Sequence, residues 1–259
     1  MGTATDPQLV IDVGNSGAKA AVYRQGEMIG SVVRFTDWEW RVADGLVTNH
    51  GVKNILYSTV ANVPPKTWTE KWTNDGCLVV ALSPELPLPF TSVYETMETL
   101  GQDRIAVVAG SLALPTSPAP AAAPTAALVV DAGTCVTLDL IDAAGVYRGG
   151  NISPGLRMRL RAMHEFTARL PLPEPADPAG EVGTSTLGAL RHGGQLGLVY
   201  EIEGLYHRLR RDHPSLELRL TGGDGAWLAR YLSVPCCFYP HLVLLGLHQI
   251  LSNYVRNQS

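Results

Sequence analysis

The sequence predicts a layered α/β protein built by duplication, and three observations carry that prediction. An apolar strand runs into a glycine turn and a second strand at 9–23, and the same pattern returns at 127–141. The aspartates that open the two turns, Asp12 and Asp131, are 119 positions apart (131 minus 12) in a chain of 259 residues, close to half its length, as a duplicated domain requires. Strand-like and helix-like segments then alternate through both halves, the pattern of helices layered on sheets.

In the first half, strands are expected at 9–11, 18–23 and 28–35, the first two joined by Asp12-Val13-Gly14-Asn15-Ser16-Gly17. A helix is expected over 37–50 with Asp37 as its N-cap, then a buried strand at 54–60. Pro64 marks the start of another helix, and 77–82 reads as a strand. The polar stretch Thr99-Leu100-Gly101-Gln102-Asp103-Arg104 opens an apolar helix that runs to about 114. Residues 115–125 are rich in proline and alanine, fit neither helix nor strand, and read as a solvated linker. The expected units are therefore 1–114 and 126–259.

In the second half, strands are expected at 127–130, 136–141 and 146–152, and a helix over 154–170. A long helix over 184–212 follows from Leu187, Leu190, Leu198, Ile202, Leu205 and Leu209 at helical spacing. Its glycines (Gly188, Gly193, Gly194, Gly197 and Gly204) call either for close packing against a neighbour or for a break. A strand at 217–220, the turn Thr221-Gly222-Gly223-Asp224, a short helix and a terminal helix over 240–254 complete the chain.

Composition excludes several function classes. Only 17% of residues are charged, against about 25% in soluble domains. The net charge is −4, and just four lysines are present (Lys19, Lys53, Lys66 and Lys71), so no basic face is available for nucleic acid. No run of 18 apolar residues exists to cross a membrane, and the first residues lack the charged and apolar regions of a secretory signal. Cys77, Cys135, Cys236 and Cys237 form no zinc or redox spacing, which points to reduced thiols and the cytoplasm. The histidines show no metal-ligand spacing either.

The chemistry concentrates in the glycine turns. Glycine lets a hairpin backbone approach a phosphate group, and successive N–H groups can cradle its oxygens. An aspartate cannot touch phosphate, but it can hold a cation against it. Taken singly, each turn is also what an ordinary hairpin looks like. Two matched turns plus the later Thr-Gly-Gly turn give the layout of the actin-like ATPase fold, with no P-loop and no complete dinucleotide fingerprint. Asp103 and Arg104 open a helix, as simple helix-end charges or as a general base and an anion partner. Arg157, Arg159, Arg161 and Arg169, near His164 and Glu165, form an anion site or a solvated helix face.

At this point the chain resembles the type III pantothenate kinases, and the likeness runs in order along nearly the whole sequence. It rests on the Asp12 turn and on Tyr94 placed nine residues before Asp103 (103 minus 94) in Gly101-Gln102-Asp103-Arg104. It continues through Asp131-Ala132-Gly133-Thr134-Cys135, Gly149-Gly150-Asn151-Ile152-Ser153-Pro154-Gly155, Phe166-Thr167-Ala168-Arg169-Leu170-Pro171, Thr221-Gly222-Gly223-Asp224 and Leu242-Val243-Leu244-Leu245-Gly246-Leu247. The resemblance implies the acetate/sugar kinase–Hsp70–actin fold, a cytoplasmic homodimer, and phosphorylation of pantothenate by ATP with Mg²⁺ and K⁺ or NH₄⁺. It implies an ATP loop of Asp12, Val13, Gly14, Asn15, Ser16, Gly17, Ala18 and Lys19, with Thr134 as a further ATP contact. Asp131 becomes the monovalent-cation ligand and Asp103 the proton acceptor. Tyr94, Gly101, Gln102, Asp103, Arg104 and Thr186 become the substrate contacts, Thr186 across the dimer. The linker at 115–125 is longer and richer in proline than the family pattern. Two alternatives stay open: a catalytically silent nucleotide-binding regulator like Bvg accessory factor, and an actin-fold phosphotransferase with another acceptor.

Overall fold

A computed structural model describes residues 3, 5–14, 17–36, 39–59, 63–114 and 125–258. Its contacts divide the chain into two compact units, Met1–Pro115 with His241–Ser259, and Thr116–Pro240. The terminal helix therefore belongs with the first unit, whereas sequence order had placed it in a second unit of 126–259. The proposed linker at 115–125 and the Asp37 cap fall, but for Thr125, outside the described residues.

The first unit holds β1 (Gln8–Gly14), β2 (Gly17–Arg24), β3 (Glu27–Phe35), α1 (Trp40–His50), β4 (Asn54–Thr59), α2 (Lys66–Asn74) and β5 (Leu78–Ala81). These are followed by a short β6 (Thr91–Ser92) and α3 (Gln102–Ala113). Its sheet runs β3-β2-β1-β4-β5, antiparallel across β1, β2 and β3 and parallel across β1, β4 and β5. β1 is central and buried on both faces. Its odd residues Leu9, Ile11 and Val13 join Trp40 of α1 and Trp72 of α2 in one core. Its even residues face the other way, toward the terminal helix α8 (Leu242–Gln258), where Gln8 Oε1 accepts from His248 Nδ1–H (2.9 Å) and Ser252 Oγ–H (3.0 Å). His248 stacks on Tyr23 with ring centroids 4.3 Å apart, and burial pushes its imidazole down to about 4, so the ring is neutral at physiological pH.

The second unit repeats the plan with β7 (Ala127–Ala132), β8 (Cys135–Ile141), β9 (Val146–Pro154), α4 (Leu156–Glu165), α5 (Thr186–Arg191), α6 (Gly197–Leu209), β10 (Glu217–Thr221), α7 (Gly225–Tyr231) and β11 (Cys236–Phe238). The strands lie in the order β9-β8-β7-β10-β11, again antiparallel through the first three and parallel through the rest. Strand for strand this is the order of the first unit. The duplication read from the turns is therefore a duplication of topology, the actin-like architecture. Leu128, Val130, Val136 and Leu138 pack on Leu198, Ile202 and Tyr206 of α6 and Leu228 of α7.

Two helices differ from the sequence reading. α4 stops at Glu165, short of the expected 170. The long helix is interrupted by a π-turn at His192–Leu196, which contains Gly193 and Gly194. Both explanations offered for its glycines apply. The chain departs from α geometry there, and Gly194 lies so close to α4 that a Cβ would meet Leu160 Cδ2 at 2.6 Å. β11, of three residues, was not foreseen.

α3 and α8 cross at two glycines. A Cβ on Gly246 would fall on the Ala106 carbonyl, and one on Gly110 would fall on that of Leu242. Gly204 of α6, by contrast, has open space where its Cβ would be. Gly204→Ala should hold or raise the melting temperature, since alanine gains about 1 kcal/mol over glycine in a helix. Gly246→Ala should lower it by several degrees, because overpacking costs about 1–3 kcal/mol. Thermal melts of both variants check the crossing; a Gly246→Ala protein as stable as Gly204→Ala contradicts it.

Candidate active site

The first cluster forms at the ends of β1 and β4, with the start of α3. β1 and β2 close on the Gly14–Gly17 pair, and Asp12 stands opposite Lys19 in the hairpin register. Gly17 takes φ +126, where side chains are strained, and a Cβ there would sit 3.0 Å from the Phe35 carbonyl oxygen. Asn15 and Ser16, expected at the tip of this turn, lie outside the described residues. Val13 is buried and Ala18 nearly so; they hold the hairpin in the core rather than offer side-chain chemistry.

On the other side of β1, Ser58 is the register partner of Asp12 in β4, and its Oγ–H donates to Asp12 Oδ1 at 3.0 Å. Burial raises the Asp12 carboxyl above its ordinary range. Lys19 and the Ser58 hydroxyl pull it back, and the charge of Asp103 pushes it further up. The end of β4 bonds to Asp12 through Ser58 and to Gln102 through Thr59, so Asp12 and Asp103 stand at neighbouring element ends within one unit.

Asp103 lies in the first turn of α3, whose N-cap is Gly101. Its Oδ1 accepts from the Arg104 N–H at 2.8 Å, and a Cβ on Gly101 would meet that same oxygen at 2.5 Å. Glycine at 101 therefore leaves room for the carboxylate. Gln102 Oε1 accepts from the Thr59 N–H at 2.7 Å and fastens the helix start to the end of β4. Arg104 is buried, with its guanidinium 5.6 Å from the centre of the Tyr94 ring. A desolvated arginine over an aromatic face suits a carboxylate or other anion.

The second cluster forms at the end of β7. Thr134 is exposed in the turn that follows Asp131. Its carbonyl accepts from the Gly155 N–H at 3.0 Å, and a Cβ on Gly155 would meet the same oxygen at 2.6 Å. The turn Thr221–Asp224 wraps the same strand end. Thr221 pairs with Asp131, the Asp224 N–H donates to the Ala132 carbonyl at 3.0 Å, and a Cβ on Gly222 would meet Asp131 Oδ1 at 2.5 Å. Gly222 adopts φ +88, so glycine is needed there for backbone and space alike. Burial raises the Asp224 carboxyl, against the opposing charge of Arg157. Thr186 is exposed at the first position of α5, beside Ser185, whose Oγ accepts from the Gly188 N–H.

These residues fit hard cations better than a His/Cys cage. Among the described residues, no three His, Cys, Asp or Glu side chains gather at one point. What is present instead is one carboxylate at each strand end, Asp12 and Asp131, beside backbone carbonyls and N–H groups. Such oxygen-rich, partial ligand sets suit Mg²⁺ bound largely through water and phosphate, and alkali cations. Sequence reading missed Ser58: a single serine in an apolar strand carries no motif, and only the register with Asp12 reveals it.

Comparison with known proteins places these turns. The sequence model of the type III pantothenate kinases matches residues 8–208, which span both glycine turns and the Gly101–Arg104 helix start. A type III pantothenate kinase of Phocaeicola vulgatus is 37% identical over 245 residues, covering 94% of this chain and 97% of the relative. One of Porphyromonas gingivalis is 35% identical over 246 residues with the same coverage. A solved structure from Campylobacter jejuni, described as a Baf family transcriptional activator, shares the fold with a TM-score of 0.55 at 23% identity, covering 95% of this chain and 98% of its own. Since the family's sequence model spans the paired turns and the Gly101–Arg104 helix start, and such relatives match nearly end to end, the chain belongs to the type III pantothenate kinase family.

Proposed function

We propose that the chain transfers the γ-phosphoryl group of ATP to the primary hydroxyl of pantothenate, giving 4′-phosphopantothenate, the first step toward coenzyme A. The observation that carries the mechanism is the pairing of Asp12 and Asp103 at neighbouring element ends, joined by the end of β4 through Ser58 on Asp12 and Thr59 on Gln102. One serves the nucleotide side and the other the acceptor side. The pantothenate hydroxyl oxygen forms a bond to the γ-phosphorus as the bond to the bridging oxygen of ADP breaks, and the hydroxyl proton passes to Asp103. Phosphoryl transfer runs through a loose transition state, so positioning and charge stabilisation dominate. A carboxylate is a weak base toward an alcohol; Asp103 therefore orients the hydroxyl first and takes its proton late, when the oxygen has become acidic.

Gly14, Gly17 and Lys19 are the ATP-phosphate contacts of the first turn, with Asp12 acting through a cation, and Thr134 is a further ATP contact. Asp12 would hold Mg²⁺, which would supply charge neutralisation at the phosphates, and Asp131 would hold K⁺ or NH₄⁺. Arg104, stacked on Tyr94, takes the pantothenate carboxylate, and Gly101 and Gln102 shape the pocket wall.

The second unit exposes Phe166 (86% accessible) and Val182 (77%), along with Ile152, Leu187 and Tyr200. That much apolar surface on α4, α5, α6 and neighbouring segments supports a homodimer. In it Thr186, next to Leu187, reaches the partner's substrate. No helix among the described residues is long and apolar enough to cross a membrane, and the low charge and free cysteines fit a cytoplasmic protein without nucleic-acid partners.

The reading is tested by ADP release with and without pantothenate in K⁺, NH₄⁺ and Na⁺. Release should require pantothenate and run faster in K⁺ or NH₄⁺. Release indifferent to pantothenate contradicts the activity, and equal rates in Na⁺ contradict only the monovalent-cation site. Asp103→Asn should lose about 100-fold or more in kcat while still binding ATP, the scale of a general base. Turnover near wild type in that variant removes Asp103 from its role. Light scattering should give the mass of a dimer, and a monomer contradicts the shared site.

A further inference from the structure

Asp12 and Asp103 are like charges on different elements, and nothing in either element fixes the distance between their carboxyl groups. The end of β4 lies between them. Ser58 is buried at 1% exposure, and its hydroxyl donates to Asp12 Oδ1 at 3.0 Å. The next residue, Thr59, donates its backbone N–H to Gln102 Oε1 at 2.7 Å. The residue after Gln102 is Asp103 itself. Two successive residues of one strand thus grip the two aspartates, one directly and one through the adjoining glutamine.

β4 is a sound base for this grip. It is parallel to β1 on one side and to β5 on the other, and Ile55 and Leu56 are fully buried, so its end moves with the sheet. The Gln102 contact also narrows that residue's part in the site. Its carbonyl oxygen is committed to the strand, so Gln102 acts chiefly by placing the first turn of α3 rather than by reading the substrate.

We infer that Ser58 and Gln102 are positioning residues of one strut, which sets the spacing between the nucleotide aspartate Asp12 and the acceptor aspartate Asp103. The inference rests on the kinase reading above. A misplacement of about 1 Å at reacting groups can cost on the order of a hundredfold in rate, so a strut of two hydrogen bonds carries weight in kcat. For Ser58 the loss falls on the chemical step more than on pantothenate binding, because its bond is to Asp12 and not to the α3 turn that carries Arg104.

The test uses the full chain and pantothenate-dependent ADP release, with Ser58→Ala, Gln102→Met and the double variant. Wild type comes first: if its ADP release ignores pantothenate, the kinase reading fails before the strut is tested. With wild type active, Ser58→Ala should lower kcat about tenfold or more, the scale of one lost hydrogen bond to a charged group. Its KM for pantothenate should stay near wild type, and its melting temperature should fall by only a few degrees, because the buried Asp12 carboxyl loses one donor. Gln102→Met, at a partly exposed helix start, gives the same reading without disturbing the core: kcat falls more than KM rises. The double variant should be within about threefold of the slower single variant, because both substitutions cut one connection. Ser58→Ala turnover within twofold of wild type overturns the inference. So does a Gln102→Met loss confined to KM, or a double variant whose losses multiply.

Discussion

Asp12 ends a strand that the first unit surrounds on every side: β2 and β4 flank β1, α1 and α2 cover one face, and α8 packs on the other. A carboxylate there has little water, and ionising it costs free energy that Lys19 and Ser58 offset only in part. The position therefore asks for a cation. In the proposed mechanism a nucleotide with its metal would supply one, and the glycine turn beside Asp12 would supply the backbone approach to phosphate. ATP binding and the desolvation of Asp12 would then be two sides of one electrostatic constraint.

That constraint explains how a chain with four lysines and net charge −4 serves a triphosphate. In the proposed mechanism positive charge would come from cations, a single turn lysine and backbone dipoles rather than from a basic pocket. The duplication supplies the arrangement twice. Asp131 ends β7 as Asp12 ends β1, with the Gly222 turn leaving room at its carboxylate in the second unit. Arg104 is the exception, a buried cation assigned to the acceptor's carboxylate.

Much of this was legible in the sequence, for physical reasons. Alternation of apolar residues into Asp-x-Gly marks a strand that enters a turn, so both turns and the repeated strand–turn–strand pattern could be read directly. The start of α3 was legible because Gly101 and Asp103 stand where a helix needs a permissive cap and a negative charge. Long-range packing was less visible. The apolar pattern of α8 does not say which unit it covers; its glycine crossing with α3 and the His248 and Ser252 contacts with Gln8 and Tyr23 assign it to the first. Ser58 gave no signal because its role depends on register between two strands 46 residues apart (58 minus 12), which no local pattern encodes. The π-turn was half visible: the glycines predicted close packing or a break, and Gly193 and Gly194 mark where both occur.

The most direct measurement of the electrostatic claim is the thermal stability of Asp12→Asn against wild type, without nucleotide, across acid to neutral pH. Because the folded carboxyl is held above its ordinary range, wild type bears no penalty while Asp12 is protonated. It loses stability as pH rises through that folded value. Asparagine keeps an oxygen to accept from Ser58 but carries no charge. The account predicts that the variant melts at or above the wild-type temperature at pH 7, and that its advantage shrinks to nothing in acid. A variant less stable than wild type at pH 7, or a difference that does not change with pH, would contradict it.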